Sequence, residues 1–311
     1  SVLSGRRDDL FVEHLLRTVG DDPSHQICEN LKRLKVISWL DSGMSQLLFL
    51  DENAQAALAH TVGRSGVGHD EVIRVFKEIL TGGKLKARRA VAALLAEFQS
   101  VEANRLIMQS LRDQDVQVQA LALGQLRERG LPGAMATLIE ALDSKHALLR
   151  ETARESLREF DLPRYLSAYE GMSEEVRRNT GQLVSKVDTN ARQLLAEELQ
   201  SASRSRRLRA IDVACSLGIV PMLEDFLLKL LDDDDHLIRL EAAEALSACP
   251  TDKTRLALRS AMLDHSESVR SAAQRALDDM VIAQPQRPAQ PDVAHIQSPA
   301  KIAGSPGGWS W

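Results

Sequence analysis

The feature of this sequence that most constrains its fold is that it repeats. The stretch LDDDDHLIRLEAAEAL, Leu231 to Leu246, aligns without gaps with LRDQDVQVQALALGQL from Leu111, LDSKHALLRETARESL from Leu142 and MLDHSESVRSAAQRAL from Met262. In each, a leucine-rich helix end runs into a polar turn and then into a second helical pattern with Arg or Gln near its start. Weaker copies follow from sliding the frame: ARRAVAALL at Ala87, VRRNTGQLV at Val176 and RRLRAIDVA at Arg206. The marker positions are then Arg88, Gln119, Arg150, Arg177, Arg207, Arg239 and Arg270, separated by 31, 31, 27, 30, 32 and 31 residues. A near-constant period of this length is the mark of a repeat array, here of seven units, the two marked by Arg177 and Arg207 being degenerate.

Each unit reads as two helices. PMLEDFLLKLL from Pro221 places Met222, Leu223, Phe226, Leu227, Leu230 and Leu231 at helical spacing, with Pro221 tolerated in the first turn. The second helix carries Leu237, Ile238, Ala242, Ala245 and Leu246. A helix pair this short cannot bury its own apolar faces, so it must stack on its neighbours, and the expected fold is an all-α solenoid. The alanines Ala242, Ala243 and Ala245, repeated as Ala272, Ala273 and Ala276, allow adjacent units to approach closely. Aromatic residues are only 4% of the chain, which suits helices packed on helices.

The two-helix unit, the Asp in its turn and an Arg six residues on (Asp233 to Arg239, Asp264 to Arg270) resemble HEAT repeats, and the short period is similar to the HEAT-like repeats of phycobilin lyases. The resemblance covers Val67 to Ile282. It implies a ladder of ion pairs between successive repeats, made by the turn Asp and the second-helix Arg. Gln119 stands where an Arg would follow Asp113, and Gly171 and Ser201 stand where the Asp would precede Arg177 and Arg207, so the ladder is expected to be interrupted.

The run Asp232 to Asp235 invites a metal-site reading. A calcium loop of the EF-hand kind needs Gly at its sixth position and Glu at its twelfth, and counting from Asp232 those places hold Leu237 and Ala243. The run instead reads as the N-terminus of a second helix, where carboxylates cap free backbone N–H groups and meet the positive end of the helix dipole. His69-Asp70 resembles the central pair of metal-dependent phosphohydrolases, but the flanking His and Asp are missing, and Asp70 reads as a cap for EVIRVFKEIL. Hydroxylases built from HEAT-like repeats bind iron through His-Glu pairs, and that dipeptide does not occur in this chain. Gly82-Gly83 lacks phosphate-loop spacing and reads as an interhelix turn. No catalytic residue, cofactor or metal ligand is expected.

The densest positive cluster is SRSRRLRA, with Arg204, Arg206, Arg207 and Arg209. The net charge of -5 and the lack of interleaved aromatics point away from nucleic acid and toward a solvated face or a contact for an acidic protein partner. Residues 1–66 read as a helical N-terminal cap, with a helix start at Asp22-Pro23, burial of Ile27, Leu31, Leu34, Trp39 and Leu40, and a further helix over Ser45 to His60. Residues 67–282 form the repeats. Residues 283–311 hold five of the ten prolines and read as a disordered tail ending in Trp309 and Trp311. These two tryptophans suit a docking motif for a partner, fold-back onto the solenoid, or a processing remnant.

Three widely spaced cysteines, Cys28, Cys215 and Cys249, suit a reducing, cytoplasmic setting, and no run is long enough to span a membrane. A chain beginning at Ser1 rather than Met is expected to be processed or excised. Two functions follow. The first is a non-catalytic scaffold, a curved rod whose concave side is lined by second helices and binds another protein, in a larger assembly. The second is a lyase or chaperone subunit similar to the phycobilin lyases, acting on a tetrapyrrole or its acceptor protein, a likeness of fold alone.

Overall fold

The computed structural model of the chain describes residues 9–40 and 49–282, and every regular element among them is a helix. Three helices come first: α1 (Asp9–Val19), α2 (His25–Leu31) and α3 (Glu52–Gly63). Seven helix pairs follow: α4 (His69–Gly82) with α5 (Leu85–Leu94), α6 (Val101–Ser110) with α7 (Val116–Leu123), α8 (Ala134–Ala141) with α9 (Ala147–Ser156), α10 (Leu162–Ala168) with α11 (Glu174–Val187), α12 (Ala191–Leu199) with α13 (Arg204–Leu217), α14 (Glu224–Leu230) with α15 (His236–Ala245), and α16 (Asp252–Ala261) with α17 (Glu267–Ile282). Every marker residue of the period lies on the second helix of its pair.

The second helices pack side by side in series, α3 on α5, α5 on α7 and α7 on α9, then α11 on α13, α13 on α15 and α15 on α17. Small residues make this approach close: Ala242 and Ala243 of α15 and Ala272 and Ala273 of α17 are fully buried. The series is weakest between α9 and α11, where the marker separation shortens to 27 residues. The apolar core divides at the same place. One cluster runs from Val12 to Leu157 and takes in Val187, and the other runs from Leu162 to Met280. Phe160 packs against both, and across the joint Arg154 Nε donates to the Lys186 carbonyl at 3.1 Å.

Three of the turns are folded by an aspartate six residues ahead of the marker position. Asp113 Oδ1 accepts from Asp115 N at 2.8 Å, Asp233 Oδ1 from Asp235 N at 3.0 Å and Asp264 Oδ1 from Ser266 N at 2.7 Å. Two residues on, Asp115 and Asp235 cap the second helices, accepting from Val118 N and Leu237 N. A carboxylate at these positions therefore answers backbone N–H groups that the helix itself leaves unpaired.

The same turns carry the ladder that the HEAT resemblance implies. Arg88 forks onto Asp113 (2.9 and 3.2 Å) and Arg239 onto Asp264 (2.8 and 3.1 Å), while Arg207 donates one hydrogen bond to Asp233 at 3.2 Å with its Nε 3.0 Å from the other carboxylate oxygen, and each pair joins one repeat to the next. Arg207, Arg239 and Arg270 also donate to the carbonyl six residues earlier, closing their own turns. The ladder stops where the sequence departs from the pattern. Gln119 reaches only its own Asp113 carbonyl, at 2.6 Å. Arg177 turns inward, donating to the Tyr169 carbonyl at 3.0 Å and lying 4.2 Å above the Tyr169 ring.

Several boundaries differ from the sequence reading. Pro221 does not open one long helix: Val220–Leu223 is a separate 3-10 turn ahead of α14, and Met222 is exposed. Asp70 is not a cap, since α4 begins at His69 behind Gly68, and Asp70 lies in the first turn, where its charge meets the helix dipole. The helix after Asp22-Pro23 starts at His25 with Ser24 as its cap. The helix expected over Ser45 to His60 is observed as Glu52–Gly63, capped by Asp51, and residues 45–48 lie outside the described residues. Trp39 and Leu40 are buried, as expected. The expected disordered tail, 283–311, also lies outside the described residues.

Two outcomes test this packing. A Cβ at Gly181 would stand 2.7 Å from the Ser216 carbonyl oxygen and 3.0 Å from Tyr165 Oη. Gly181→Ala should therefore lose about 1–2 kcal/mol net in urea unfolding, overpacking outweighing the gain in helix propensity. Arg239, by its hydrogen bonds and charge, holds the Asp264 carboxyl below the ordinary aspartate range against the opposing effect of burial, with Ser266 N assisting. A depressed folded pKa adds stability that is present above the unfolded value, near about 4, and is lost as pH falls through the folded value. The urea midpoint should drop between about pH 5 and 3, and Asp264→Asn should flatten that slope.

Candidate protein-interaction surface

The cluster SRSRRLRA forms the first turns of α13, and its arginines face carboxylates of the same chain. Arg204 pairs with Asp235, Arg206 Nε donates to Glu198 at 2.7 Å, and Arg207 holds Asp233. Arg206, with a smaller contribution from the charge of Arg209, keeps the Glu198 carboxyl below its ordinary range. The Arg207–Asp233 pair is largely enclosed, with side chains 17% and 11% exposed, whereas Arg206 is open to solvent at 55%. The four residues thus separate: Arg207 belongs to the ladder, and Arg204, Arg206 and Arg209 border the surface. Trp309 and Trp311 lie outside the described residues.

The Asp232–Asp235 run is accounted for by backbone geometry. Asp233 folds the turn and pairs with Arg207, Asp235 caps α15 and pairs with Arg204, and Asp232 and Asp234 face solvent. Among the described residues there is no group of His, Cys, Asp and Glu arranged to hold a metal ion.

Beyond the arginine cluster, the exposed side of the second helices forms a continuous polar face. Between α7 and α9 it carries a cleft lined by Arg127, Glu128, Glu151, Glu155 and Arg158. On α13 and α15 it carries Asp212, Glu241 and Glu244, with Arg275 of α17 holding Glu244 at 2.6 Å. Partial burial, and then the like charges of Glu244 and Asp212, push the Glu241 carboxyl up. Leu148 and Leu237, 46% and 39% exposed, are apolar spots at equivalent positions on α9 and α15. The face is thus mixed in sign, locally acidic in α13–α15 and apolar at isolated points.

Beneath it, the aromatic groups of the fourth repeat are committed to packing. Tyr165 and Tyr169 are buried edge to face, 5.4 Å between ring centroids. Tyr165 Oη donates to the Arg177 carbonyl at 2.7 Å, and Tyr169 Oη meets Ser216 Oγ at 3.1 Å. Burial raises both phenols above their ordinary range, so both stay protonated. Cys249 is buried too, and its thiol is pushed up to about 11, which keeps it from forming the thiolate that nucleophilic chemistry needs.

Sequence reasoning located the arginines but missed the acidic character of the second-helix face. Glu155 and Glu244 both lie five residues past their markers, as does Asp212, and that shared offset was available in the repeat frame.

A family profile described as HEAT repeats matches residues 73–158 and 192–278. No curated protein matches the chain. Similar solved structures include human deoxyhypusine hydroxylase in complex with glycerol, at 19% identity over 79% of this chain and 96% of that one, with a TM-score of 0.33. A designed armadillo repeat protein is 16% identical over 66% of this chain and 98% of its own, with a TM-score of 0.28. An engineered protein is 15% identical over 87% and 96%, with a TM-score of 0.30.

Charge reversal separates the arginine roles. Arg207→Glu should place two facing carboxylates in an enclosed interface and cost about 3–5 kcal/mol in urea unfolding. Arg206→Glu, which meets the Glu198 carboxylate from an open position, should lower the midpoint too, but by less.

Proposed function

The chain belongs to the HEAT-repeat family, and from that premise we propose that it is a non-catalytic scaffold that holds a partner protein against the face of its second helices. The observation that carries this reading is that the second helices present equivalent exposed positions, repeat after repeat, over a rigidly packed apolar layer. Such a face offers many polar contacts in fixed register, which suits recognition of another protein surface. The arginines Arg204, Arg206 and Arg209 at its border are the candidates for contact with an acidic part of the partner. The tail residues Trp309 and Trp311 are candidates for a second contact, since an aromatic anchor covalently joined to a first contact adds affinity by raising effective concentration. Assembly with partner proteins in the cytoplasm fits the three cysteines, all free. No helix among the described residues is long and apolar enough to cross a membrane.

The tetrapyrrole reading has less to support it. A pigment groove calls for accessible aromatic side chains, and Tyr165 and Tyr169 of the repeats are buried and hydrogen-bonded.

Affinity capture with the full chain, with a version ending at Ile282 and with Glu128→Lys/Glu151→Lys/Glu155→Lys tests the assignment. The triple variant is expected to lose the partner recovered by the parent chain while keeping its unfolding midpoint. Undiminished recovery would remove the second-helix face, and undiminished recovery without the tail would remove Trp309 and Trp311.

A further inference from the structure

The described array ends on an unfilled rung. Arg207 and Arg239 each reach an aspartate of the following repeat, and Arg270 is the marker of the last one. It closes its own turn as they do, donating to the Asp264 carbonyl at 2.8 Å and the His265 carbonyl at 3.1 Å, and it makes no ion pair among the described residues. Arg150, opposite Gly171, also lacks a rung, so an unpaired arginine alone does not distinguish this end.

The distinguishing feature lies beside Arg270. The residue seven positions ahead of the marker is exposed and polar in the six earlier repeats, as Thr81, Arg112, Asp143, Glu170, Gln200 and Asp232. In the last repeat it is Leu263, 85% exposed. Two helical turns before it, at a position that is leucine in no other repeat, stands Leu256, 70% exposed. Spaced seven apart, the two leucines form an apolar stripe on one side of α16, next to the open rung. A further second helix is not what covers this end. Gln274 is exposed on α17 where the equivalent Ile211 and Ala243 are buried, so α17 is finished for solvent, and a helix of a second copy has no apolar seat there.

The chain itself holds a segment of matching chemistry. Asp292 is the only acidic side chain in residues 283–311, which lie outside the described ones, and it follows Asp264 by 28 residues, within the spread of the repeat period. Val293 and Ile296 come directly after it, and Pro285, Pro288 and Pro291 before it recur every third residue, a spacing that suits polyproline II. Ten residues from Ile282 to Asp292 span about 31 Å in that form, against about 18 Å of helix between Arg270 and Ile282, so Asp292 reaches the open rung. Val293 and Ile296 would stand about 9 Å apart, and Leu263 and Leu256 are separated by about 10 Å of helical rise.

We propose that residues 292–296 dock on this end of their own chain as a terminal rung. Asp292 pairs with Arg270, as Asp264 does with Arg239, while Val293 covers Leu263 and Ile296 covers Leu256. Pro291-Asp292 suits the turn that sends the chain back along α16. The contact is independent of the scaffold reading.

The test uses the full chain with labelled Ile, Leu and Val methyls. Nuclear Overhauser contacts from Val293 to Leu263 and from Ile296 to Leu256 are expected, unchanged on dilution, as for a segment acting within its own chain. Asp292→Asn, a change outside the helical array, should lower the docked-to-free ratio read from the Leu263 methyl shifts about twofold to fivefold, the worth of one exposed ion pair. Leu263→Gln, which installs the residue type of the equivalent Gln200, should remove the contact between Ile296 and Leu256 as well. Absence of these contacts in the parent chain, or an unaltered ratio in Asp292→Asn, would overturn the proposal. Contacts that fade on dilution would overturn it in favour of a second copy, and Leu263 shifts that arise only when another protein is added would overturn it in favour of that partner.

Discussion

A helix pair of about 31 residues has more apolar surface than its two helices can hide from each other, and the rest must be covered by the next pair. Ala242 and Ala243 on α15, packed on Ala272 and Ala273 of α17, show how this is achieved: side chains of one carbon let the backbones approach until the larger leucines on either side interlock. Gly181 on α11 goes further, bringing the helix against the Ser216 carbonyl with no side chain at all. Every other feature is arranged around this contact. The first helices cover the outer side of the layer, the turns cap its ends, and the exposed side is left polar.

The Arg–Asp rungs act at the edge of that layer. Their charges are mostly enclosed, and a pair of this kind contributes little net energy when compared with an apolar replacement, because both ions are taken from water. Its effect is on register. A fork of two hydrogen bonds has one good alignment, so Arg239 on Asp264 fixes how far one repeat is displaced along its neighbour. Where the rung is missing between α7 and α9, Arg127 holds the neighbouring repeat instead, pairing with Glu159 and donating to the Ser156 carbonyl at 3.1 Å.

Much of this was legible in the sequence, and the reason is repetition. One ambiguous helix is hard to read, but seven copies of a turn followed by a marker near the start of its second helix define a frame. From that frame came the seven pairs, the closely packed alanines and the positions where the ladder would stop. What it could not supply were features that depend on three-dimensional neighbours. The 3-10 turn at Val220–Leu223 stands apart from α14, and periodicity does not register that break. The arginine cluster looked like a free patch because Asp235, which faces Arg204, comes from the next repeat, and Glu198, which faces Arg206, is brought up by the turn between α12 and α13. The inward turn of Arg177 could not be foreseen either, since its aromatic partner stands at no repeat position.

The division of the apolar core near Phe160 has a mechanical meaning. A chain whose units adhere only to their neighbours bends most easily where adhesion is poorest, and that place is the passage from α9 to α11. The two core clusters meet there through Phe160, with Arg154 and Lys186 bracing one side. A second protein reaching across that passage would feel the angle between its two sides, whereas one seated within either side would not.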